Sequence, residues 1–340
     1  MKRWLLGGAV VAGLALAAIP GANIYYRSSA GGGCARCHEI QPNYDVWRNS
    51  AHRNVNCIDC HPSSMTRNAR RVWAHLRGQV PERVRLTTDD VFAMVDRCRS
   101  CHRQEFAQWK AGPHATTYAR IFMDPTHNSK RRLMDDCLRC HGMHFAGGIN
   151  DLVQPIATTG PWTMKDPKLA VRPAIPCLAC HAMHRQGELL LKGDTRAGAK
   201  QELFRPSLAL ADRRSQMPLP LAYLPVPQMM EGDRQVKVSP DRRQALCYQC
   251  HAPLASRQVN SGDDRTPIGV HEGLGCLACH QKHGQWTRAS CADCHPRLSN
   301  CGLDVEKMDT TFANPKSTHN VHFVKCADCH VKGVPPRKPR

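Results

Sequence analysis

The hydrophobic and polar positions along this chain predict one long apolar helix followed by short amphipathic elements. Residues 4–26 contain no charged side chain and follow Lys2 and Arg3. At about 1.5 Å per residue, a helix over these residues is about 34 Å long, and the hydrocarbon core of a bilayer is about 30 Å thick. Basic residues ahead of such a segment keep the N-terminus in the cytoplasm and direct the rest of the chain across the membrane. The pattern therefore predicts an N-terminal membrane anchor over residues 1–27.

A cleaved signal peptide is the competing interpretation of the same segment. Ala15, Leu16 and Ala17 form a small-residue sequence that a signal peptidase could accept. The apolar run continues for nine residues beyond this sequence, to Tyr26. The length of the run favours the uncleaved anchor, and export as a soluble protein after cleavage stays the alternative.

Three polar or amphipathic stretches predict helices behind the anchor. Thr88 caps one of them, and Ser239 with Pro240 begins another, each leading to a later Cys-x-x-Cys sequence. Residues 64–80 form a basic helix with arginines on its polar side, at Arg67, Arg70, Arg71 and Arg77. Its apolar face follows three- and four-residue steps through Met65, Ala69, Val72, Trp73 and Leu76.

The remainder of the chain shows no convincing strand pattern. Residues 217–227 combine proline with apolar residues, and proline favours extended backbone. We therefore predict a fold that is mainly α and irregular, with short helices and loops wrapped around bound groups and one N-terminal transmembrane helix.

One motif, Cys-x-x-Cys-His, occurs nine times and uses eighteen of the nineteen cysteines. Each cysteine of this signature forms a thioether with a haem vinyl group, and the histidine after it becomes an axial ligand of the iron. Zinc ribbons also contain Cys-x-x-Cys, but zinc does not require the histidine that follows here every time. The sequence predicts nine haem c groups, attached through Cys34, Cys37, Cys57, Cys60, Cys98, Cys101, Cys137, Cys140, Cys177, Cys180, Cys247, Cys250, Cys276, Cys279, Cys291, Cys294, Cys326 and Cys329. The proximal iron ligands predicted on the same basis are His38, His61, His102, His141, His181, His251, His280, His295 and His330.

Ten further histidines are enough to supply a second axial ligand to every iron. Six of them stand close to a motif, either four or five residues before it or three after it, and are predicted distal ligands: His52, His144, His184, His271, His283 and His322. Three others are weaker candidates: His114, His127 and His319. His75 on the basic helix is either an iron ligand or a packed residue. Iron with two histidine ligands is closed to substrates and suits electron transfer.

The charge balance changes once haem is included. The formal net charge is +19, but each haem brings two propionates, so nine haems add roughly −9 when oxidised and −18 when reduced. Most of the basic excess is therefore matched internally, and no recognition motif supports nucleic-acid binding. The arginines of the basic helix are interpreted as a solvated face or propionate partners, or as a contact with anionic lipid headgroups. The remaining cysteine, Cys301, is predicted to be a packed free thiol.

The first two motifs resemble the NapC/NirT family of membrane-anchored multihaem cytochromes. The likeness rests on the single anchor and on CARCH and CIDCH with the residues around them: Pro42, Trp47, Ser50, Ala51, His52, Val55 and Pro62. It continues more loosely to about residue 145. At Ile40 the chain departs from the nitrite-reductase-linked branch, which has methionine there. The resemblance implies that the chain takes electrons from membrane quinol at an entry haem on the first motif, with His52 as an axial ligand, and passes them to a periplasmic oxidoreductase.

The motifs divide the chain into four predicted segments: an anchor at 1–27, a NapC/NirT-like five-haem region at 28–185, a proline-rich connector at 186–246, and a four-haem region at 247–340. The similar sequences CLRCHGMH at 137–144 and CLACHAMH at 177–184 indicate duplication. Because haem c is attached after export, we expect the haem region in the periplasm of a bacterium, with its anchor in the inner membrane.

The predicted function is electron relay rather than reduction of a substrate. Electrons from the quinol pool or an inner-membrane donor would pass to redox proteins in the periplasm or at the cell surface. Quinol oxidation releases protons, and Glu39 and Asp45 are the carboxylates nearest the first motif in sequence. Two alternatives stay open: a multihaem reductase of a small nitrogen or sulfur oxyanion with one open-site haem, and a subunit of an extracellular cytochrome filament.

Overall fold

The computed structural model describes residues 2–61, 65–79, 86–189, 204–215, 217–251, 265–284, 291–296, 298, 304–330 and 332–333. Its helices are, in chain order, α1 Lys2–Ser28, α2 Gln41–Arg48, α3 Cys57–Cys60, α4 Met65–Leu76, α5 Thr88–Cys101, α6 Arg103–Ala111, α7 Tyr118–Phe122, α8 Pro125–Asn128, α9 Leu138–His141, α10 Ile149–Leu152, α11 Pro167–Ala170, α12 Gln244–Tyr248, α13 Cys276–Cys279 and α14 Cys326–Cys329. Its strands are β1 Val153–Gln154, β2 Thr163–Met164, β3 His181–Leu189, β4 Phe204–Ala211, β5 Pro218–Pro220, β6 Met230–Glu231 and β7 Arg234–Gln235. Short helices and loops therefore dominate the described residues, as the sequence predicts.

Helix α1 contains the predicted apolar segment. Leu6–Tyr26 is long and apolar enough to cross a membrane, and none of it is buried within the protein. Leu6, Val11 and Leu16 expose 67–72% of their surface. A membrane anchor and a signal sequence both satisfy these criteria.

The chain divides into two units, the first formed by Met1–Cys101 and His181–Ser207. In this unit the turn after α1 depends on Gly31, whose φ of +80° favours glycine. A Cβ at Gly31 would lie 3.1 Å from the rings of Tyr44 and Trp47 and 3.3 Å from the Cys57 sulfur. Trp47 in turn donates its indole N–H to the Val55 carbonyl at 3.0 Å. These contacts hold the turn after α1, helix α2 and the second motif together.

The second unit comprises His102–Cys180 and Leu208–Arg340. Its interior contains Tyr118, Phe122, Leu138 and Leu152, each no more than 1% exposed. A smaller apolar cluster contains Leu221, Leu224 and Ala245, with Leu208, Leu210, Leu219 and Leu246 packed against it. The four-segment organisation predicted from the sequence stays a prediction.

Two predicted helix starts are corrected. Thr87, rather than Thr88, caps α5: the amide of Asp90 donates to the Thr87 hydroxyl at 3.2 Å, and the Asp90 carboxylate accepts from that hydroxyl at 2.8 Å. The helix expected from Ser239 and Pro240 begins only at Gln244. The Asp241 carboxylate accepts from the Arg243 amide at 3.0 Å, a side-chain turn that immediately precedes the helix.

The expectation of no strand was wrong. Strand β4 pairs antiparallel with β5, an edge strand, through Leu210 and Leu219. β4 was missed because Leu208, Ala209 and Leu210 are all apolar, so no alternation marks the strand. β5 carries Pro218 and Pro220, which are tolerated at a sheet edge where no ladder N–H is needed.

Candidate haem sites

Most of the described Cys-x-x-Cys-His motifs fold as single helical turns, whereas the third motif ends the fourteen-residue helix α5. Such turns include α3, α13 and α14, and Cys34–Arg36, Cys177–Ala179 and Cys291–Asp293 form 3₁₀ turns. The amide of each of five motif histidines donates to the carbonyl of the first cysteine at 2.8–2.9 Å: His61, His251, His280, His295 and His330. Residues three apart in a helical turn share one face. The two cysteines of a motif can therefore reach the same ring edge.

Among the described residues, five motif histidines face a second histidine at one characteristic distance. The ring centres lie 5.7–6.3 Å apart in the pairs His38–His75, His61–His184, His114–His251, His271–His295 and His280–His322. With metal–nitrogen bonds of about 2 Å, two imidazoles on opposite sides of one metal have their nitrogens about 4 Å and their ring centres about 6 Å apart. Each pair therefore has the separation of two axial ligands of one iron.

The second histidines are oriented by oxygen acceptors at their other ring nitrogen. Nδ1 of His271 lies 3.1 Å from the Val321 carbonyl oxygen, and Nδ1 of His322 lies 2.9 Å from Oδ1 of Asn320. An N–H donated at Nδ1 fixes the tautomer and leaves the lone pair of Nε2 for a metal, as metal-binding histidines commonly require. The pair His38–His75 differs, because Oε1 of Glu39 lies 3.1 Å from Nδ1 of His75 and 3.2 Å from Nε2 of His38, between the two rings.

In the pair His61–His184 of the first unit, the ring nitrogens face each other directly. The two Nε2 atoms face each other at 3.4 Å, and the rings are tilted by 21°. Burial lowers the pKa of His184, the neighbouring His61 lowers it further, and a hydrogen bond to the Asn43 carbonyl opposes both. A neutral imidazole is the form that binds a metal, so this environment suits a ligand.

Two distal candidates of the second unit have a similar environment. Burial lowers the pKa of His114, which faces His251, and a second imidazole, His280, adds to the effect. Burial also lowers the pKa of His283, whose electrostatic neighbours include Glu105 and the motif histidine His102. His283 is therefore brought near His102, although its own sequence position follows the seventh motif.

The described contacts of the remaining distal candidates involve the backbone. The ring of His144 donates to the Leu178 carbonyl, while burial lowers its pKa. Nδ1 of His319 lies 2.9 Å from the Asp309 carbonyl. The amide of His52 donates to the Ser50 hydroxyl at 3.1 Å. His127 is exposed and follows the Asp124 cap of α8, whose carboxylate accepts from its amide at 3.3 Å. The roles of all motif histidines and of all distal candidates as iron ligands stay predictions.

Thiols of different motifs approach one another within each unit. In the first unit, burial and the thiol of Cys57 raise the pKa of Cys34 to about 11. In the second unit, a hydrogen bond from Cys250 lowers the pKa of Cys140 to about 7, and one from Cys276 lowers that of Cys247 to about 7. The fourth, sixth and seventh motifs are therefore consecutive neighbours.

A groove lies beside the first motif. Its volume is about 620 Å³, and its lining residues include Arg36, His38 and Asp45. Asp45 accepts a hydrogen bond from the Gln41 amide at 3.1 Å. Glu39 instead contacts both histidines of the site, with Oε1 3.2 Å from Nε2 of His38. Of the two carboxylates selected from the sequence, Asp45 lines the groove and Glu39 contacts His38 and His75.

Some sequence predictions fall outside the described residues. Cys301 and Pro62 are not described, and neither are the side chains of Cys329, Arg67 and Arg71. The acceptors of the distal histidines were missed by sequence reasoning. Only Asn320, two residues before His322, gave a recognisable signal, since Asn favours turns in which its side chain accepts from the following backbone; the His322 amide donates to its Oδ1 at 2.9 Å.

The cysteine–cysteine–histidine donor sets, together with an opposing imidazole, fit haem c. The family model described as cytochrome c554 and c-prime matches the chain over residues 97–182 and 223–281. The match includes the third to seventh motifs and covers less than half of the chain. Comparisons with curated proteins and with solved structures gave no significant match. The family match supports a multihaem c-type cytochrome that carries covalently bound haem c and acts in electron transfer.

Proposed function

We propose that this multihaem c-type cytochrome carries nine haems and relays electrons from the membrane to periplasmic or cell-surface acceptors. The observation that carries the proposal is the set of five histidine pairs with ring centres 5.7–6.3 Å apart, each joining a motif histidine to a histidine outside the motifs. Haem iron with two imidazole ligands exchanges single electrons and offers no open position to a substrate. The proposed role is therefore electron carrier rather than substrate reductase.

The chain's own residues would perform two tasks in this relay. Oxygen acceptors such as Asn320 and the Val321 carbonyl orient the distal imidazoles, and this orientation tunes the basicity of a metal ligand. The second task is spacing. Thiol contacts such as Cys140–Cys250 and Cys247–Cys276 bring successive attachment sites together, which favours transfer because tunnelling rates fall steeply with distance.

The donor end of the relay is proposed at the first motif. Its position after α1, the resemblance of residues 34–62 to the NapC/NirT family, and the adjacent groove support a quinol as donor. The groove is open to solvent rather than enclosed. Asp45 at its wall is the proposed acceptor of a quinol proton, with Glu39 as the second candidate.

The test is reduction of the full-length membrane-bound protein by a quinol analogue, compared with reduction by dithionite. We expect both reagents to reduce the haems, and low-spin spectra from all nine. Replacing Asp45 by Asn and Glu39 by Gln should slow reduction by the quinol and leave reduction by dithionite unchanged. Unchanged quinol kinetics would remove the proton-acceptor roles. A high-spin ferric signal that shifts with nitrite or hydroxylamine would instead support the reductase.

A further inference from the structure

Helix α4 presents an exposed apolar and basic surface. Trp73 and Leu76 expose 56% and 72% of their surface, and Arg70 is also exposed. The guanidinium of Arg77 lies 4.5 Å above the Trp73 ring, one helical turn away. We call Arg70, Trp73, Leu76 and Arg77 the outer face of α4. No Asp or Glu occurs between residues 60 and 81, so the basic side chains of α4 have no acidic partner on their own element.

The outer face points away from the first motif. His75, on the same helix, has its ring centre 6.0 Å from that of His38, so the side of α4 that carries His75 faces the motif. At 3.6 residues per turn, Trp73 and Arg77 lie about 160° around the helix from His75, and Arg70 about 140°. Leu76 is about 100° away. A haem held between His38 and His75 would therefore not cover Trp73, Arg70 or Arg77.

The C-terminal end of α1 is connected to the same motif by short contacts. A Cβ at Gly33 would lie 2.8 Å from the Tyr25 ring and 3.0 Å from the Tyr26 ring. The guanidinium of Arg36 lies 5.5 Å from the centre of the Tyr25 ring. Tyrosine and arginine at the end of an apolar helix are typical of the membrane–water interface. If α1 is an anchor, the first motif and α4 therefore stand next to headgroups.

We propose that the outer face of α4 lies on the surface of an anionic bilayer beside the anchor. Tryptophan and leucine would enter the headgroup boundary, and the arginines would contact lipid phosphates, as in interfacial amphipathic helices. This contact gives the first motif a second attachment to the membrane and so fixes its depth. The inference rests on the part of the proposed function in which α1 stays in the membrane.

The test uses the full-length protein with the photoreactive amino acid benzoylphenylalanine at position 73 or 76, in nanodiscs of phosphatidylcholine with or without phosphatidylglycerol. Matched positions are Leu16 on α1 and Val171 in the second unit, 70% and 74% exposed. After illumination, mass spectrometry counts lipid adducts. With the probe at position 16 we expect lipid adducts in both nanodisc compositions, and with the probe at position 171 we expect none. With the probe at position 73 or 76, adducts should be several-fold more frequent when phosphatidylglycerol is present.

A variant combining Arg70→Gln and Arg77→Gln separates the electrostatic contribution to bilayer contact from the apolar one. Each basic residue near an anionic surface strengthens membrane binding about fivefold. The variant should therefore lose most of the extra labelling at position 73 that phosphatidylglycerol produces, with an unchanged haem spectrum. Labelling at 16 without labelling at 73 or 76 overturns the proposal and leaves the anchor intact. Absence of lipid at 16 overturns the anchor itself. Attachment of 73 or 76 to protein instead of lipid also rejects the bilayer as the partner.

Discussion

The angle between the ring planes of a histidine pair predicts the paramagnetic signal of the ferric haem that the pair would bind. The ring planes of His280 and His322 are tilted by only 10°, whereas those of His271 and His295 are tilted by 63°. In low-spin ferric haem, near-parallel imidazoles give a rhombic spectrum, and strongly tilted imidazoles give a highly anisotropic spectrum dominated by one large g value. The two pairs should therefore contribute to different parts of the spectrum.

The perturbation is a matched pair of variants, His322→Ala and His271→Ala. Each removes one axial ligand, so each should convert one of the nine predicted haems, about a ninth of the total signal, from low-spin to high-spin. We expect His322→Ala to reduce the rhombic signal and His271→Ala to reduce the large-g signal. The assay is low-temperature electron paramagnetic resonance of the fully oxidised protein, with spins counted against total haem.

Replacement by methionine provides the control. His322→Met and His271→Met retain a ligand, so the iron should stay low-spin while the potential of one haem rises. Loss of the same signal in both alanine variants would refute the link between tilt and spectrum. Full retention of low-spin haem in either alanine variant would show that the histidine replaced is not an iron ligand.

Three further outcomes follow from other contacts. A hydrogen bond from Arg234 and one from the Lys237 amide lower the pKa of Glu272 to about 2. Glu272→Gln should therefore lower the melting temperature at pH 7, and the difference from wild type should shrink as the pH falls from about 4.3 toward 2. A difference that persists at pH 2 would contradict this. Trp109 is 7% exposed and donates to the Ile175 carbonyl at 3.0 Å, so Trp109→Phe should cost about 1–3 kcal/mol in urea unfolding, and a smaller loss would argue against the bond. N-terminal sequencing of the mature protein should find the original N-terminus if α1 is an anchor, and a new one after residue 17 if a signal peptidase acts there.

The haem-attachment motifs could be predicted from the sequence because all the residues of one motif are contiguous in the chain. A motif of five residues determines its own turn, as the bond from the His61 amide to the Cys57 carbonyl shows. The bounds of helix α4 were also predicted to within a few residues, because the spacing of its apolar residues is a property of that segment alone. Strands β4 and β5 were not predicted, because apolar residues and prolines follow one another there without the alternation that marks a strand.

The pairing of the histidines lay beyond sequence reasoning, because it depends on contacts between distant segments. His61 meets His184 across 123 residues, and no spacing rule links the two. Proximity to a motif selected His184, His271 and His322 correctly as members of pairs. The same rule ranked His114 lower and left His75 undecided, yet the structure brings both to motif histidines. Sequence neighbourhood therefore identifies some of the paired histidines but not the motif histidine that each one faces.

Chain order is also a poor guide to the order in which electrons would move. In the second unit, Cys140 of the fourth motif contacts Cys250 of the sixth, and Cys247 of the sixth contacts Cys276 of the seventh. The fifth motif is not between the fourth and the sixth in this series. It meets the sixth instead through Cys180, whose pKa is raised to about 12 by burial and by Cys247. The sixth motif therefore adjoins three others, and a relay through this unit would branch there instead of following the sequence.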